Sequence, residues 1–139
     1  MITIIASVLK STKERPSVFL VMEIPDCLEL KPSPIHGLGI FAKEPIPCRK
    51  RLGEFTGIKY SRREFKARYN NDYSYCYCAK RANYILSAKE ERNFITYINE
   101  SKTPNVFLQR RKLIALRDIQ QGEELFLLYD KLYPRDYEL

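Results

Sequence analysis

The segment TYINESKTPN, residues 96–105, places two asparagines and a serine among apolar and aromatic residues. Asparagine and serine side chains readily hydrogen-bond to nearby backbone groups, and this density is typical of a loop that is buried or partly buried. A helix that ends in a turn at residues 103–105 explains the same composition equally well. Before the turn, residues 91–98 are a helical candidate of only a turn or two.

The sequence that follows, ALRDIQQGEELFLLYD at residues 115–130, predicts a turn between two strands. The turn runs from Asp118 to Gly122, where polar residues and a glycine suit a tight change of direction. The apolar run at residues 126–129 predicts a final buried strand. Taken alone, Tyr129 at the end of that run is most often a core tyrosine whose hydroxyl reaches the surface.

The sequence that precedes the segment, SPIHGLGIFA at residues 33–42, contains a pair of glycines before an apolar strand. Glycine permits positive φ angles and a close approach of the backbone to a ligand. The pair lacks the third glycine and the following helix of a dinucleotide-binding loop, which excludes that class of site. Taken alone, the pattern favours a tight β-turn. His36 is the only histidine, so a histidine metal cluster is excluded and no metal site is expected.

The rest of the chain predicts short strands and one clear helix. Ser61 and Glu64 form a capping box, in which the serine hydroxyl accepts the amide of residue 64 and the glutamate accepts the amide of residue 61. A helix from about residue 62 to residue 69 then places Phe65 and Tyr69 on one side. Extended segments are expected at residues 39–42, 52–57, 73–78 and 84–86, and as a hairpin of 107–109 with 113–116.

Length and composition indicate an ordinary globular protein. A chain of 139 residues is one domain by the usual size prior. Its 45% hydrophobic and 29% charged residues exclude wholesale disorder. We expect a lead-in segment over residues 1–26 and the folded domain over residues 27–139. The four cysteines include no C-x-x-C pair and are expected to be reduced thiols of a soluble, intracellular protein. The apolar run at residues 1–9 is too short for a membrane span, and no membrane partner is expected.

The formal net charge of +7 predicts an acidic partner such as nucleic acid or a nucleosome. Basic residues cluster at residues 49–51, 62–68 and 109–112. Solvated faces that only keep the protein soluble explain these clusters equally well.

Together, and in this order, the three blocks resemble the SET domain of protein lysine methyltransferases. The pattern of that family runs S-x-x-H-G-x-G-x-F-A, then G-N-x-x-R-F-I-N-H-S-C-x-P-N, then A-x-R-D-I-x-x-G-E-E-L-x-x-x-Y. The resemblance covers residues 33–133. It implies a mostly β fold of several small sheets with short helices and a C-terminal pseudoknot. Because no cysteine follows Cys78, it also implies a compact member without a zinc-binding segment after the SET domain.

The resemblance also implies a cofactor and a set of site residues. The cofactor is S-adenosylmethionine, which leaves as S-adenosylhomocysteine. Cofactor binding is assigned to His36, Gly37, Leu38, Gly39, Tyr97, Asn99, Glu100 and Tyr133. Tyr129 takes the place of the catalytic tyrosine, while Tyr73 and Tyr75, expected on one strand face, become walls of the lysine channel. The acceptor is a lysine of a histone or another basic protein, which places the enzyme in the nucleus if the acceptor is a histone.

Several positions depart from the family pattern. Glu100 replaces the histidine, Lys102 replaces the cysteine, Thr96 replaces the arginine, and Leu127 stands where many members have phenylalanine. Two functions of different classes therefore remain open. The first is an active protein lysine methyltransferase, and the second is a SET-like module that has lost catalysis and binds protein or nucleic acid. A basic, β-rich nucleic-acid-binding protein whose motifs are accidental is a third alternative.

Overall fold

The computed structural model describes residues 2–7 and 20–128 of the chain. Tyr129 and Tyr133 lie outside the described residues, so their predicted roles stay predictions. The strands are β1 (Ile2–Ser7), β2 (Leu20–Pro25), β3 (Leu28–Pro32), β4 (Leu38–Ala42), β5 (Arg51–Glu54), β6 (Ile58–Ser61), β7 (Cys76–Ala79), β8 (Tyr84–Ser87), β9 (Asn99–Glu100), β10 (Val106–Gln109), β11 (Lys112–Ala115) and β12 (Phe126–Leu127). The helical elements are α1 (Arg62–Tyr69) and one 3₁₀ turn (Phe94–Tyr97).

The strands form several small sheets, as predicted. Antiparallel pairs join β1 to β2 and β3 to β4, and three-stranded sheets have the orders β10-β11-β5 and β6-β8-β7. The predicted hairpin is confirmed as β10 and β11, with Gln109 opposite Lys112. Met22 and Ile24, which precede the predicted boundary at residue 27, are buried in the same core as the later strands. Within the described residues, no helix is long and apolar enough to cross a membrane.

The predicted helix α1 is confirmed, and local interactions define both of its ends. Ser61 Oγ accepts from the Glu64 amide at 3.1 Å, and Glu64 Oε1 accepts from the Ser61 amide at 2.8 Å. At the other end Asn70 adopts a left-handed conformation with φ 48°. Asparagine tolerates this conformation better than most residues, so it ends the helix. Phe65 is fully buried and anchors α1 to the sheet below it.

Several predicted elements are shorter than expected, among them the strands at 52–57 and 126–129, which are reduced to β5 and β12. The segment 73–78 was expected to be one strand, but β7 begins only at Cys76, and Tyr75 has a positive φ of 61°. Asp72 Oδ1 accepts from the Ser74 amide at 3.2 Å and from its hydroxyl at 2.7 Å. This local bonding stabilises a turn in place of extended backbone. The prediction that Tyr73 and Tyr75 share a strand face is therefore wrong. Similarly, the helical candidate at 91–98 is only the 3₁₀ turn, capped by Asn93.

The segment after the 3₁₀ turn holds the closing strand. β9 pairs in parallel with β12, which places Asn99 beside Phe126 and Glu100 beside Leu127. Asn105 is 1% exposed. Its amide nitrogen donates to the Glu124 carbonyl at 2.8 Å, and its amide oxygen accepts from the Phe126 backbone at 2.7 Å. Polar side chains therefore replace backbone partners inside the fold, and the loop is partly buried, with Asn105 as its buried end. The pairing of β9 with β12 agrees with the C-terminal pseudoknot that the resemblance implies.

Candidate active site

The residues assigned to the site from sequence surround one cavity of about 590 Å³. Of those residues, the cavity is lined by His36, Gly37, Leu38, Tyr73, Tyr75, Tyr97, Asn99 and Glu100. A larger cavity of about 890 Å³ lies on the other side of Arg92 and contains none of them. We therefore take the smaller cavity as the candidate active site, because the residues assigned from sequence line it.

The glycine loop forms one wall of this cavity. The Ser33 amide donates to the Gly37 carbonyl at 2.7 Å and closes the loop. Gly37 has a φ of 49°, a left-handed conformation that glycine adopts without strain. Ser33 Oγ accepts from the Ile35 amide at 3.0 Å, which fixes the turn from inside. These hydrogen bonds fix the conformation of the loop, whose residues 36–38 line the cavity.

Glu124 joins the three sequence blocks at one point. This carboxyl group is buried, with 8% exposure. Oε1 accepts from the Ser33 hydroxyl at 2.9 Å, and Oε2 accepts from Asn99 Nδ2 at 2.8 Å. Asn99 Nδ2 also lies 3.1 Å from the His36 carbonyl oxygen and 3.3 Å from that of Leu38. Glu124 therefore fixes the orientation of the Asn99 amide and ties it to the glycine loop.

Gly39 lies behind the cavity wall instead of lining it. A Cβ atom at this position would overlap Glu124 Oε2 and would lie 3.2 Å from the Ser33 Cβ. Glycine is required here because the buried carboxylate approaches the backbone closely. The cofactor-binding role assigned to Gly39 stays a prediction, and the structure adds a steric reason for the same residue.

Asn99 and Glu100 add polar groups to the cavity wall beside the glycine loop. A primary amide has two donor hydrogens and one acceptor oxygen. Because the nitrogen of Asn99 is held by Glu124 and the glycine loop, the amide oxygen is the group suited to accept a hydrogen bond from a ligand. The parallel pairing of β9 with β12 fixes both residues.

Tyrosines and one cysteine complete the cavity. Tyr73 stacks on Phe65 with ring centroids 5.2 Å apart and an interplanar angle of 12°. Tyr75 and Tyr97 flank the guanidinium of Arg92. Desolvation by burial raises the pKa of the Cys76 thiol, so the thiol is protonated at neutral pH and a poor nucleophile. The cavity is therefore aromatic and lacks an activated sulfur.

Sequence reasoning missed Glu124 and Arg92 as site residues. Glu124 stands in the quoted G-E-E-L block, but a glutamate beside a turn gives no sign that it is buried. Arg92 stands where the family pattern has glycine, a departure that could have drawn attention to it. Within the described residues, no group of three histidine, cysteine, aspartate or glutamate side chains could hold a metal ion.

Comparisons with known proteins agree on one family. The sequence profile of the SET domain matches residues 37–130. The chain is 29% identical over 108 residues to the histone-lysine N-methyltransferase MEDEA of Arabidopsis thaliana, covering 70% of this chain and 16% of that protein. It is 30% identical over 115 residues to the histone-lysine N-methyltransferase EZ1 of Oryza sativa subsp. japonica, covering 75% of this chain and 13% of that protein. The chain thus spans less than a fifth of the length of these relatives.

Solved structures with similar folds point the same way. A structure of ctPRC2 in an autoinhibited conformation bound to S-adenosylmethionine superposes with a TM-score of 0.65 at 26% identity, covering 79% of this chain and 16% of that chain. The methyltransferase domain of human PR domain-containing protein 2 superposes with a TM-score of 0.58 at 26% identity, covering 79% of this chain and 78% of that one. A structure of ctPRC2 in complex with H3K27me3 and H3K27M gives a TM-score of 0.65 at 27% identity, covering 76% of this chain and 14% of that chain.

Proposed function

This chain belongs to the SET domain family, and from that premise we propose that it is a protein lysine N-methyltransferase that uses S-adenosylmethionine. The observation that carries the proposal is the pair of hydrogen bonds accepted by Glu124. They bring the glycine loop and Asn99 to the same cavity, where a cofactor and a lysine side chain would meet.

The residues present fit the methionine end of S-adenosylmethionine. That end carries an ammonium and a carboxylate, which require acceptors and donors. The amide oxygen of Asn99 accepts, because its nitrogen is already bound. Backbone groups of residues 36–38 supply further polar contacts along the loop. When bound, the cofactor supplies a methyl group on a positively charged sulfur.

The aromatic part of the cavity suits the acceptor lysine. A free lysine is protonated at neutral pH, with a pKa near ~10.4, and must lose a proton before it can act as a nucleophile. Tyr73 and Tyr75 line the cavity with partly exposed aromatic rings. A lysine side chain that packs against them loses contact with water, which disfavours its charged form. Tyr129 remains the proposed catalytic tyrosine, which orients the amine.

We take a histone as the first acceptor to test and the nucleus as the place of action. The relatives are histone-lysine methyltransferases, and one similar structure contains modified histone H3 sequences. A basic histone tail and a chain with a formal charge of +7 repel one another in solution. Nucleosomal DNA would overcome this repulsion by binding both.

Two basic clusters converge on one sheet and form the proposed DNA contact. The order β10-β11-β5 puts both clusters on one sheet. They lie at opposite ends of β11, because Arg51 is opposite Ile114 whereas Lys112 is opposite Glu54. Within the described residues, Glu54 is the acid paired with this surface, 3.8 Å from Arg51 and 3.3 Å from Arg111. The surface therefore keeps a positive excess.

The chemistry of this basic sheet favours duplex DNA over other acidic partners. Single-stranded nucleic acid is bound mainly by stacking on aromatic rings, and membranes are bound by inserted apolar side chains. The large hydrophobic residues that the described chain exposes lie elsewhere, at Ile35, Leu38, Ile58, Tyr73 and Tyr75. The basic sheet thus offers charge without stacking surfaces, as contacts to a phosphate backbone require.

The proposed function is tested by titrating S-adenosylmethionine calorimetrically and then following labelled methyl transfer to core histones and nucleosomes. Replacing Glu124 by methionine leaves the Asn99 amide and the Ser33 hydroxyl without their acceptor. We expect cofactor affinity to fall about ten- to a hundredfold, since an unsatisfied buried group costs about 1–3 kcal/mol. Glu124→Gln should retain most of the affinity, because an amide can accept from Asn99 and donate to Ser33.

Two controls separate binding from chemistry. Glu123→Met removes a neighbouring carboxylate that pairs with Arg117 at 3.0 Å on the surface, and it should leave cofactor affinity within about twofold. Tyr129→Phe should bind the cofactor normally and transfer methyl groups far more slowly. Absence of cofactor binding in the wild type would contradict the proposal. Binding without transfer to any acceptor, including proteins of a cell lysate, would favour the non-catalytic module.

A further inference from the structure

Arg92 lies just before the 3₁₀ turn, with its guanidinium enclosed by two tyrosine rings. The guanidinium carbon is 3.8 Å from the ring centroid of Tyr75 and 4.1 Å from that of Tyr97. Both distances fall well within the ~6 Å over which a cation is attracted to an aromatic face. Arg92 Nε donates to Thr96 Oγ1 at 2.7 Å, and Nη2 donates to the Thr96 carbonyl at 3.1 Å. Four contacts therefore hold this long side chain in one place.

The charge of Arg92 stands in the wall of the candidate active site without a paired carboxylate. In the part of the chain that the structure describes, the ion pairs within 4.0 Å are made by other residues. A guanidinium remains charged at every pH at which proteins are stable. Its cation is therefore a permanent feature of the cavity.

Other titratable groups share the cavity with Arg92. They are His36, Tyr73, Tyr75, Cys76, Tyr97 and Glu100. On its other side, Arg92 borders the larger cavity together with Glu90 and Glu91. Near neutral pH, Glu100 is the group in the active-site cavity whose charge opposes that of Arg92. Glu100 is exposed, so water and salt screen its carboxylate, whereas Arg92 is partly buried and fixed between two rings. The effect of Arg92 on a nearby amine is therefore the larger of the two.

We propose that Arg92 is a positioning residue that keeps the acceptor lysine in its neutral, nucleophilic form. The inference rests on the proposed function, since it concerns the lysine that enters this cavity. Arg92 packs against Tyr75, a proposed wall of the lysine channel, and against Tyr97, and it places a fixed positive charge beside the channel. A like charge disfavours the ammonium, so more of the bound lysine is unprotonated at a given pH. The proton that leaves the amine passes to solvent.

The test is the pH dependence of methyl transfer to core histones at saturating cofactor and acceptor. Arg92→Gln keeps a planar side chain of similar reach but removes the charge. The apparent pKa of the acceptor lysine in the rate profile should lie about 0.5–1 unit above that of the wild type. Near neutral pH the neutral fraction of the lysine is then smaller, and methyl transfer should be about three- to tenfold slower. The two rates should converge once the pH exceeds both apparent pKa values, where the bound lysine is neutral in both proteins.

Matched variants distinguish charge from structure. Arg92→Lys keeps the charge and should restore the wild-type profile more closely than Arg92→Gln does. Glu100→Gln should move the apparent pKa slightly in the opposite direction. Cofactor affinity measured by calorimetry should stay near the wild-type value in Arg92→Gln, which shows that the variant is folded.

Two results would overturn the inference, and only the second of them would also overturn the proposed function. If Arg92→Gln lowers the rate by the same factor at every pH, Arg92 has only a structural role and the proposed function stands. If the wild type transfers no methyl group to any acceptor, the proposed function fails and the role of Arg92 fails with it.

Discussion

At the scale of single residues, the site depends on how closely Glu124 approaches the backbone of the glycine loop. Gly39 and Glu124 belong to different sequence blocks, and each constrains the other. The carboxylate fits only because residue 39 has no side chain, and Asn99 is oriented only because the carboxylate is there. This dependence explains why a loop and a distant turn must carry particular residues together.

Replacing Gly39 by alanine should damage both stability and cofactor binding. The new methyl group overlaps the Glu124 carboxylate, and the lost free energy of unfolding should be about 1–3 kcal/mol, as for other overpacked sites. Guanidinium unfolding and calorimetric titration of S-adenosylmethionine measure the two effects.

Gly37→Ala is the matched control. No atom lies within 4 Å of its added Cβ, so only the φ of 49° is strained, at a cost of about 1 kcal/mol. Equal losses in the two variants would contradict the steric explanation.

At the scale of elements, local rules account for some elements and fail for others. The capping box at Ser61 predicts α1, since its hydrogen bonds lie within four consecutive residues. The tyrosine alternation at 73–78 suggests a strand, but the Asp72 carboxylate competes locally and forms a turn. The burial of Glu124 depends on residues far away in sequence, which no local pattern contains. The cavity was therefore predictable as a set of residues, while its central carboxylate and the Arg92 stack were not.

Glu90 connects α1 to the end of β8. It accepts from the Tyr60 hydroxyl at 2.7 Å, from the Ser87 hydroxyl at 2.9 Å and from the Tyr69 hydroxyl. Desolvation tends to raise the pKa of this carboxyl, but the hydrogen bonds from Tyr69, Tyr60 and Ser87 outweigh it and lower the pKa to about 2. The bond to Glu90 is also the main reason that the pKa of Tyr60 is raised to about 12. The ionised form of Glu90 thus holds the helix in place.

Acid should therefore release the helix from the sheet over a defined range. The pKa of Glu90 is lower in the folded chain than the usual value of 4.5, so its contribution is complete above that value and is lost as the pH falls towards about 2. After allowance for solvent screening, we expect protonation of Glu90 to lower the free energy of unfolding by about 1 kcal/mol. Urea unfolding near pH 6 and near pH 3 measures this loss. Glu90→Gln should be less stable at the higher pH and should lose less on acidification. An acid loss as large in Glu90→Gln as in the wild type would show that other carboxylates are responsible.

At the scale of the whole molecule, the fold separates the basic clusters that the sequence scatters. Residues 49–51 and residues 110–112 both belong to the three-stranded sheet β10-β11-β5. The cluster on α1 packs instead against the sheet of β6, β8 and β7. In the α1 cluster, Arg62 donates to Asn83 and Arg68 lies 3.9 Å from Glu90. Internal partners occupy part of that cluster, so the two basic surfaces are not equivalent. On the basic sheet, Glu54 lies near Arg51 and Arg111, whereas the described ion pairs do not include Lys50, Arg110 and Lys112. These three cations carry the proposed phosphate contact.

Duplex DNA binding by the basic sheet should depend steeply on salt. Lys112 begins β11, and the Lys50 carbonyl accepts from the amide of Ala115 at the end of β11. Because β11 spans four residues, the backbones of Lys112 and Lys50 stand about 10 Å apart along the strand, and their side chains can reach separate phosphates. Each phosphate neutralised contributes about −0.9 to the slope of log Kobs against log salt. Replacing Lys50, Arg110 and Lys112 by glutamine should therefore reduce the slope by about 2–3. Fluorescence anisotropy with a short labelled duplex at several salt concentrations measures this slope.

The matched control replaces three α1 residues by glutamine, namely Arg62, Arg63 and Lys66, and should change the slope by less than about 1. If the control triple reduces the slope as much as the first triple, the contact depends on net charge and the basic sheet is not the DNA surface.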